Sequence, residues 1–109
     1  NGPDWQTIAW NNALTYSPIF NEDITHKLPK LTTPTHFIIG TRDTTGPGRG
    51  WKKNDVISKN YKLGDYKKLG KAAAASMQNA TLHELPGLGH MPQFEDYPRF
   101  SKVFFEITE

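Results

Sequence analysis

The sequence predicts an α/β fold: two parallel strands, a crossover helix between them and a helix at the C-terminus. Residues 37–39 and 81–85 are short segments with the apolar, β-forming character of strands. The segment between them ends in a helical pattern of small residues, as expected of a crossover between parallel strands.

Residues 1–33 are expected to form one helix and a linker. Asp4 is suited to cap the helix. Apolar side chains follow at roughly helical spacing: Trp5, Ile8, Ala9, Ala13 and Tyr16. Pro18 should end the helix because proline has no N–H to donate. Residues 19–33 then read as a connecting loop with a short turn around Leu28.

The first strand is predicted at residues 37–39, which are continuously apolar as in a strand buried on both faces. Gly40 allows another backbone segment to approach closely. Asp43 follows just past the strand, where a turn or cap role is the alternative to a functional one. Arg42 either pairs with an acid near the site or is solvated.

A basic stretch with interleaved aromatic residues runs from position 49 to position 71. Its basic residues are Arg49, Lys52, Lys53, Lys59, Lys62, Lys67, Lys68 and Lys71. Charge and stacking of this kind can bind single-stranded nucleic acid. No nucleic-acid-binding motif accompanies the charge, so we interpret it as a solvated surface and predict no nucleic-acid partner.

The second helix is predicted to begin after Asp65 as its cap and to end near Asn79. Its sheet-facing side is expected to consist of Leu69, Ala72, Ala73, Ser76 and Met77. In the final strand, residues 81–85, Leu82 and Glu84 share one face while His83 and Leu85 share the other. This alternation suits a strand near the sheet edge.

The last predicted element is a helix that begins at Glu95 or Asp96, with Pro98 in its first turn. Its buried stripe is expected to consist of Phe100, Val103, Phe104 and Ile107. Between the final strand and this helix, Gly87 and Gly89 permit backbone angles closed to other residues. That turn delivers His90 past the end of the strand.

Asp43 and His90 each follow the C-terminal end of a predicted strand. Open parallel sheets place their active sites at this edge. An acid that orients a histidine is the supporting half of a nucleophile, base and acid triad. The other histidines, at positions 26, 36 and 83, form no i, i+4 pair, so we expect no metal site. A metal-free triad needs no cofactor, so we expect none.

The segments PTHFIIGTRD, residues 34–43, and ATLHELPGLGHMPQFEDYPRF, residues 80–100, resemble the C-terminal part of an α/β-hydrolase. In that family the acid follows the penultimate strand and the histidine follows the last one. The resemblance implies that Asp43 is the acid and His90 the base of the triad. It covers residues 20–109 well and the first twenty loosely.

The resemblance further implies one partial domain, residues 1–109. Residues 1–33 would leave the cap region, and residues 34–109 would form the last two strand–helix units. The family's nucleophile is not found, because no G-x-S-x-G occurs and none of the serines at positions 17, 58, 76 and 101 has that setting. The oxyanion loop is absent too. We therefore expect the chain alone to be inactive.

The expected substrate is a small ester-like molecule, hydrolysed through an acyl-enzyme. The fold also hosts other hydrolytic reactions, so the substrate stays open. Met91, Phe94 and Trp5 are candidates for contacts with the substrate, and ordinary packing is the alternative for all three.

The composition of the chain excludes few classes of function. Thirteen basic and eleven acidic residues give a net charge of +2, and the absence of cysteine excludes disulfides. No apolar run approaches the roughly 18 residues of a membrane span, so no membrane partner is expected. Two strands leave an unpaired edge, which should require a missing N-terminal half or a homo-oligomer partner. A non-catalytic dimerising or partner-binding domain is the alternative function.

Overall fold

The computed structural model describes residues 2–46 and 63–109, in which a parallel sheet of two strands is accompanied by helices. In chain order the elements are α1 (Trp5–Asn21), a 3₁₀ helix (Thr25–Lys30), β1 (Thr35–Gly40), α2 (Tyr66–Ser76), β2 (Ala80–Leu85), α3 (Pro92–Glu95) and α4 (Tyr97–Thr108). The strands are in register from Thr35 opposite Ala80 to Gly40 opposite Leu85. The predicted α/β fold with its crossover helix and C-terminal helix is confirmed.

The N-terminal helix α1 extends beyond Pro18 to Asn21, so the prediction that Pro18 ends it is wrong. The backbone N–H of Glu22 donates to the carbonyl of Pro18 at 2.9 Å. No residue of α1 is buried, so water can satisfy the carbonyl that loses its donor at the proline. The Asp4 side chain makes no capping hydrogen bond. In the linker, the turn expected around Leu28 is a 3₁₀ helix.

Helix α2 packs against both strands through a face one residue away from the predicted one. Asp65 caps the helix as expected, accepting a hydrogen bond from the Lys68 backbone at 3.4 Å. The residues that α2 buries or half-buries within its length are Gly70, Ala73 and Ala74, besides Tyr66 at its start, and Met77 is buried just after its end. Leu69, expected on this face, is 53% exposed.

Gly70 explains the shift of this face. A Cβ atom at position 70 would lie 2.5 Å from Cδ1 of Ile39 and 3.3 Å from Cδ1 of Leu82. The missing side chain therefore lets the helix axis come close to both strands. The prediction from sequence placed Leu69, the larger neighbour of Gly70, on this face.

The sheet is only half covered within the described residues. Phe37, Ile38 and Ile39 are half-buried, not buried on both faces as predicted. Helix α2 covers the face that carries Ile39, whereas the opposite face carries a pair of stacked histidines, His36 and His83, whose Nδ1 and Nε2 atoms lie 3.0 Å apart. The buried apolar side chains of the described residues are Met77, Leu85, Leu88 and Pro92.

The C-terminal helix α4 begins at Tyr97, with Asp96 as its cap and Pro98 in the first turn. The carboxylate of Asp96 accepts from the Arg99 backbone at 3.2 Å. The expected stripe is only partly buried, and Phe104 is 43% exposed. Across the described ranges, no helix combines the length and apolar character needed to cross a bilayer.

Candidate active site

The carboxyl ends of β1 and β2 lie side by side, because Gly40 is paired with Leu85 in a parallel ladder. The two loops that leave these strands are joined by backbone hydrogen bonds. Thr41 donates to the Leu85 carbonyl at 3.0 Å, and Arg42 donates to the Leu88 carbonyl at 2.8 Å. The loops that carry the predicted acid and the predicted base are thus one packed unit.

Two glycines make this packing possible for different reasons. A Cβ atom at Gly40 would collide with the backbone carbonyls of Leu88 and Gly89, so only glycine fits there. Gly87 has a φ of 78°, a left-handed angle that other residues rarely adopt. Its N–H donates to the Thr41 hydroxyl at 2.9 Å. Gly89 has no positive φ, so its predicted role as a source of backbone freedom is wrong.

His90 and Asp43 meet at this edge. Nδ1 of His90 lies 2.9 Å from Oδ2 of Asp43. The histidine side chain is 52% exposed and the aspartate side chain only 7%. An imidazole opposite a carboxylate donates from Nδ1, which leaves Nε2 to accept a proton. Their catalytic roles stay a prediction.

Asp43 is held in its ionised form. Its burial alone would raise the pKa of the carboxyl, but the hydrogen bonds from His90 and from Thr45 outweigh burial, so the pKa is lowered. The Thr45 backbone N–H donates to Oδ1 at 2.8 Å. Each carboxylate oxygen therefore has its own donor, and this arrangement fixes the orientation of the carboxylate beside the imidazole.

Tyr66, at the start of α2, was not singled out from the sequence as a site residue. Its ring centroid lies 6.3 Å from that of His90, with the planes tilted by 47°. Burial and the nearby negative charge of Asp43 raise the pKa of the tyrosine hydroxyl. Tyr66 thus stays neutral at ordinary pH and packs against the imidazole.

Arg42 pairs with an acid near the site, one of the two alternatives left open for it. Its Nη2 lies 2.8 Å from Oε2 of Glu95. Glu95 was expected only as a possible start of the last helix, but it lies at the end of α3 and its carboxylate also accepts from the Gly89 backbone. The prediction from sequence named no particular acid as the partner of Arg42, so the role of Glu95 was missed.

An open groove of about 380 Å³ lies beside His90. Helix α1 contributes Tyr16 and Ile19 to one side, and Thr45, Tyr66 and His90 contribute to the other. This volume is at the small end of the range for small-molecule sites. Its walls combine hydroxyl groups with apolar surface and the imidazole.

The three predicted substrate contacts do not line this groove. Trp5 is 50% exposed, Met91 44% and Phe94 80%. Their assignment as substrate-binding residues stays a prediction. Tyr16 and Ile19 of α1 line the groove instead, and the sequence offered no signal that would have chosen them over Trp5.

Other functional elements are not visible in the part of the chain that the structure describes. Those residues contain no group of three or more possible metal ligands. Ser76 and Ser101 donate to carbonyls within their own helices, at 2.8 and 3.2 Å. Ser58 and most of the basic stretch that begins at Arg49 lie outside the described residues.

Comparison with known proteins gives one informative similarity. No protein-family model and no curated protein matches the chain. The chain is similar to the solved structure of a probable hydrolytic enzyme from Pseudomonas aeruginosa, with 38% sequence identity and a TM-score of 0.83. The match covers 96% of this chain and 33% of that chain. The chain therefore has a hydrolase-like α/β fold and spans about a third of that enzyme's length.

Proposed function

We propose that the chain supplies the acid and the base of a serine-type α/β-hydrolase, which cleaves an ester or a related bond through an acyl-enzyme. The observation that supports this most is the 2.9 Å contact between His90 and Asp43 at the ends of two parallel strands. The similarity to a probable hydrolytic enzyme adds to it.

In this mechanism Nε2 of His90 takes the proton of a serine hydroxyl as the serine attacks the substrate carbonyl. The same nitrogen then gives the proton to the leaving group, and the cycle repeats with water. Asp43 holds the ring in the tautomer that keeps Nε2 free to accept. Its lowered pKa keeps a negative charge beside the imidazolium that forms.

The serine and the oxyanion hole would come from polypeptide outside these 109 residues. The chain has no G-x-S-x-G sequence. A base without a positioned nucleophile loses nearly all of its catalytic effect, so the chain alone should hydrolyse no ester. The open groove beside His90 is where the reacting carbonyl would bind.

Ester hydrolysis by the complete protein tests this proposal. H90A should lower kcat/KM by a factor of at least about 10³, as removal of a triad base does. H26A is the matched control, because His26 is an exposed histidine in the 3₁₀ helix, and it should leave the rate unchanged. Activity of H90A equal to that of the unmodified protein would refute the assignment.

A partner-binding domain without catalysis is the second candidate. The observation that favours it is the series of large exposed apolar side chains on α1: Trp5, Ile8, Trp10, Leu14, Ile19 and Phe20. Large exposed apolar side chains are typical of interaction sites. Sedimentation of H90A and of W10K separates the two functions. If the protein associates, H90A still associates and W10K does not, the result would favour the binding domain.

A further inference from the structure

We propose that Glu95 is a positioning residue for His90, and that Arg42 assists it. Its importance for catalysis rests on the proposed function, but its effect on the geometry of His90 does not. Among the described residues, no hydrogen bond or ion pair joins Glu95 to the imidazole or to Asp43. It acts on the residue before His90 and on the residue before Asp43.

The first contact is with the backbone of Gly89. Both oxygens of the Glu95 carboxylate lie within reach of the Gly89 N–H, Oε1 at 3.0 Å and Oε2 at 2.9 Å. A Cβ atom at position 89 would lie 2.5 Å from Oε1. The glycine thus permits the close approach of the carboxylate, which a side chain at position 89 would displace. The bond fixes the Leu88–Gly89 peptide, one residue before His90.

The second contact joins this turn to the acid loop. Arg42 donates from Nη2 to Oε2 of Glu95 at 2.8 Å and from Nε to the Gly87 carbonyl at 3.0 Å. Since Arg42 directly precedes Asp43 and Gly89 directly precedes His90, one carboxylate ties the two loops together. The separation between Asp43 and His90 is set partly by this tie.

The two contacts differ in strength. The Arg42 side chain is 68% exposed, and exposed ion pairs contribute little to stability. The Gly89 amide is buried, and its bond to a charged acceptor is of the stronger kind. Removal of Glu95 should therefore disturb His90 more than removal of Arg42.

The position of Glu95 in its own helix does not explain its presence. It is the last residue of the four-residue helix α3. Since α3 is a single turn, Glu95 is in its first turn as well as its last, and the helix dipole gives no net preference for a carboxylate there. The contacts of the carboxylate with Gly89 and Arg42 therefore account for a glutamate at this position.

Nuclear magnetic resonance of the ¹⁵N-labelled protein tests the proposal without any need for activity. The readouts are the ring-nitrogen shifts of His90, which report its tautomer, the Nδ1 proton signal, and the exchange rate of the Gly89 amide. E95A should accelerate that exchange by roughly tenfold or more and abolish the Nδ1 proton signal. E95Q keeps one acceptor oxygen and should lie between E95A and the unmodified protein.

Two controls accompany these variants. E106Q makes the same change at an exposed position on α4 and should alter none of the three readouts. R42A should show a smaller change than E95A, and the two effects should be less than additive, because both variants remove the ion pair between Arg42 and Glu95. K102A is the matched control for R42A.

An unchanged tautomer and an unchanged Gly89 exchange rate in E95A would overturn the proposal. If E95A unfolds, as circular dichroism would show, E95Q and R42A carry the same test. Should H90A prove fully active while E95A still shifts the His90 signals, the proposed function fails and the positioning role stands. A change in E106Q as large as that in E95Q would show a general effect of lost charge and would also overturn it.

Discussion

The strand ends and the N-terminal helix α1 are opposite cases within one chain. At the strand ends, Leu85 and Leu88 are 5% and 8% exposed, and the Asp43 carboxylate has a donor for each oxygen. Along α1 no residue is buried, although the helix carries two tryptophans. One region has its contacts inside the described chain, and the other presents apolar surface to solvent.

The chain can form the site at the strand ends by itself, whereas the apolar side chains of α1 need another surface to become buried. The hydrogen bonds described above that hold His90 and Asp43 come from residues 40–45 and 85–95, and the ring of Tyr66 packs beside them. The acid–histidine pair should therefore form in the isolated chain. The exposed residues of α1 should matter for association instead.

The substitution expected to have the largest effect is D43N in the complete protein. Asparagine keeps the shape of the side chain but loses the charge that stabilises the imidazolium, and it favours the wrong tautomer of His90. We expect kcat to fall by about 10⁴-fold. Steady-state ester hydrolysis measures it, with D4N on the exposed N-terminal segment as the control. A loss below tenfold would contradict the triad assignment.

The packing at the strand ends is tested by G40A. The added methyl group would meet the backbone carbonyls of Leu88 and Gly89, which cannot move aside as a flexible side chain can. We expect the free energy of unfolding to fall by about 1–3 kcal/mol. Urea denaturation measures it. G2A is the control, because a Cβ atom there would contact nothing within 4 Å, and equal stability of the two variants would refute the packing.

The charge of Asp43 should make the strand ends sensitive to acid. Its pKa is lowered in the folded state, so its contribution to stability is complete above the unfolded pKa of about 4. That contribution is lost as the pH falls through the folded pKa. The stability difference between the unmodified protein and D43N should therefore shrink between pH 5 and pH 2 in urea denaturation. A difference that stays constant over this range would contradict the ionised pair.

The smallest effect on stability is expected from a substitution in α1. Trp10 is 66% exposed, so W10Q should change the free energy of unfolding of the isolated chain by less than about 0.5 kcal/mol. L85A, at the strand ends, should cost about 2–5 kcal/mol in the same urea denaturation experiment. If W10Q destabilised the chain as much as L85A, the contrast between the two regions would be wrong.

The sequence was sufficient for the fold because its strong signals are local. Residues 37–39 and 81–85 have strand character, and Asp65 supplies a cap whose hydrogen bond the structure contains. The meeting of Asp43 and His90 followed from a rule of parallel sheets, in which residues past the carboxyl ends share one edge.

The rest depends on contacts between distant residues, which residue types do not specify. The approach of α2 at Gly70 depends on the absence of a side chain, so a search for apolar residues selected Leu69 instead. The continuation of α1 past Pro18 depends on its exposure, which the local pattern does not reveal. Glu95 looked like a helix residue because its partner, Arg42, is 53 positions away.

The most direct test of the central claim is mass spectrometry, native and denaturing, of the protein purified from its natural source and treated with a fluorophosphonate probe. We predict that a longer chain, or a second polypeptide that co-purifies, takes up the probe on a serine. Substitution of His90 or Asp43 should then suppress the labelling. If only an unlabelled species of 12.3 kDa or its multiples appeared, the claim that this acid–histidine pair serves a serine nucleophile would be contradicted.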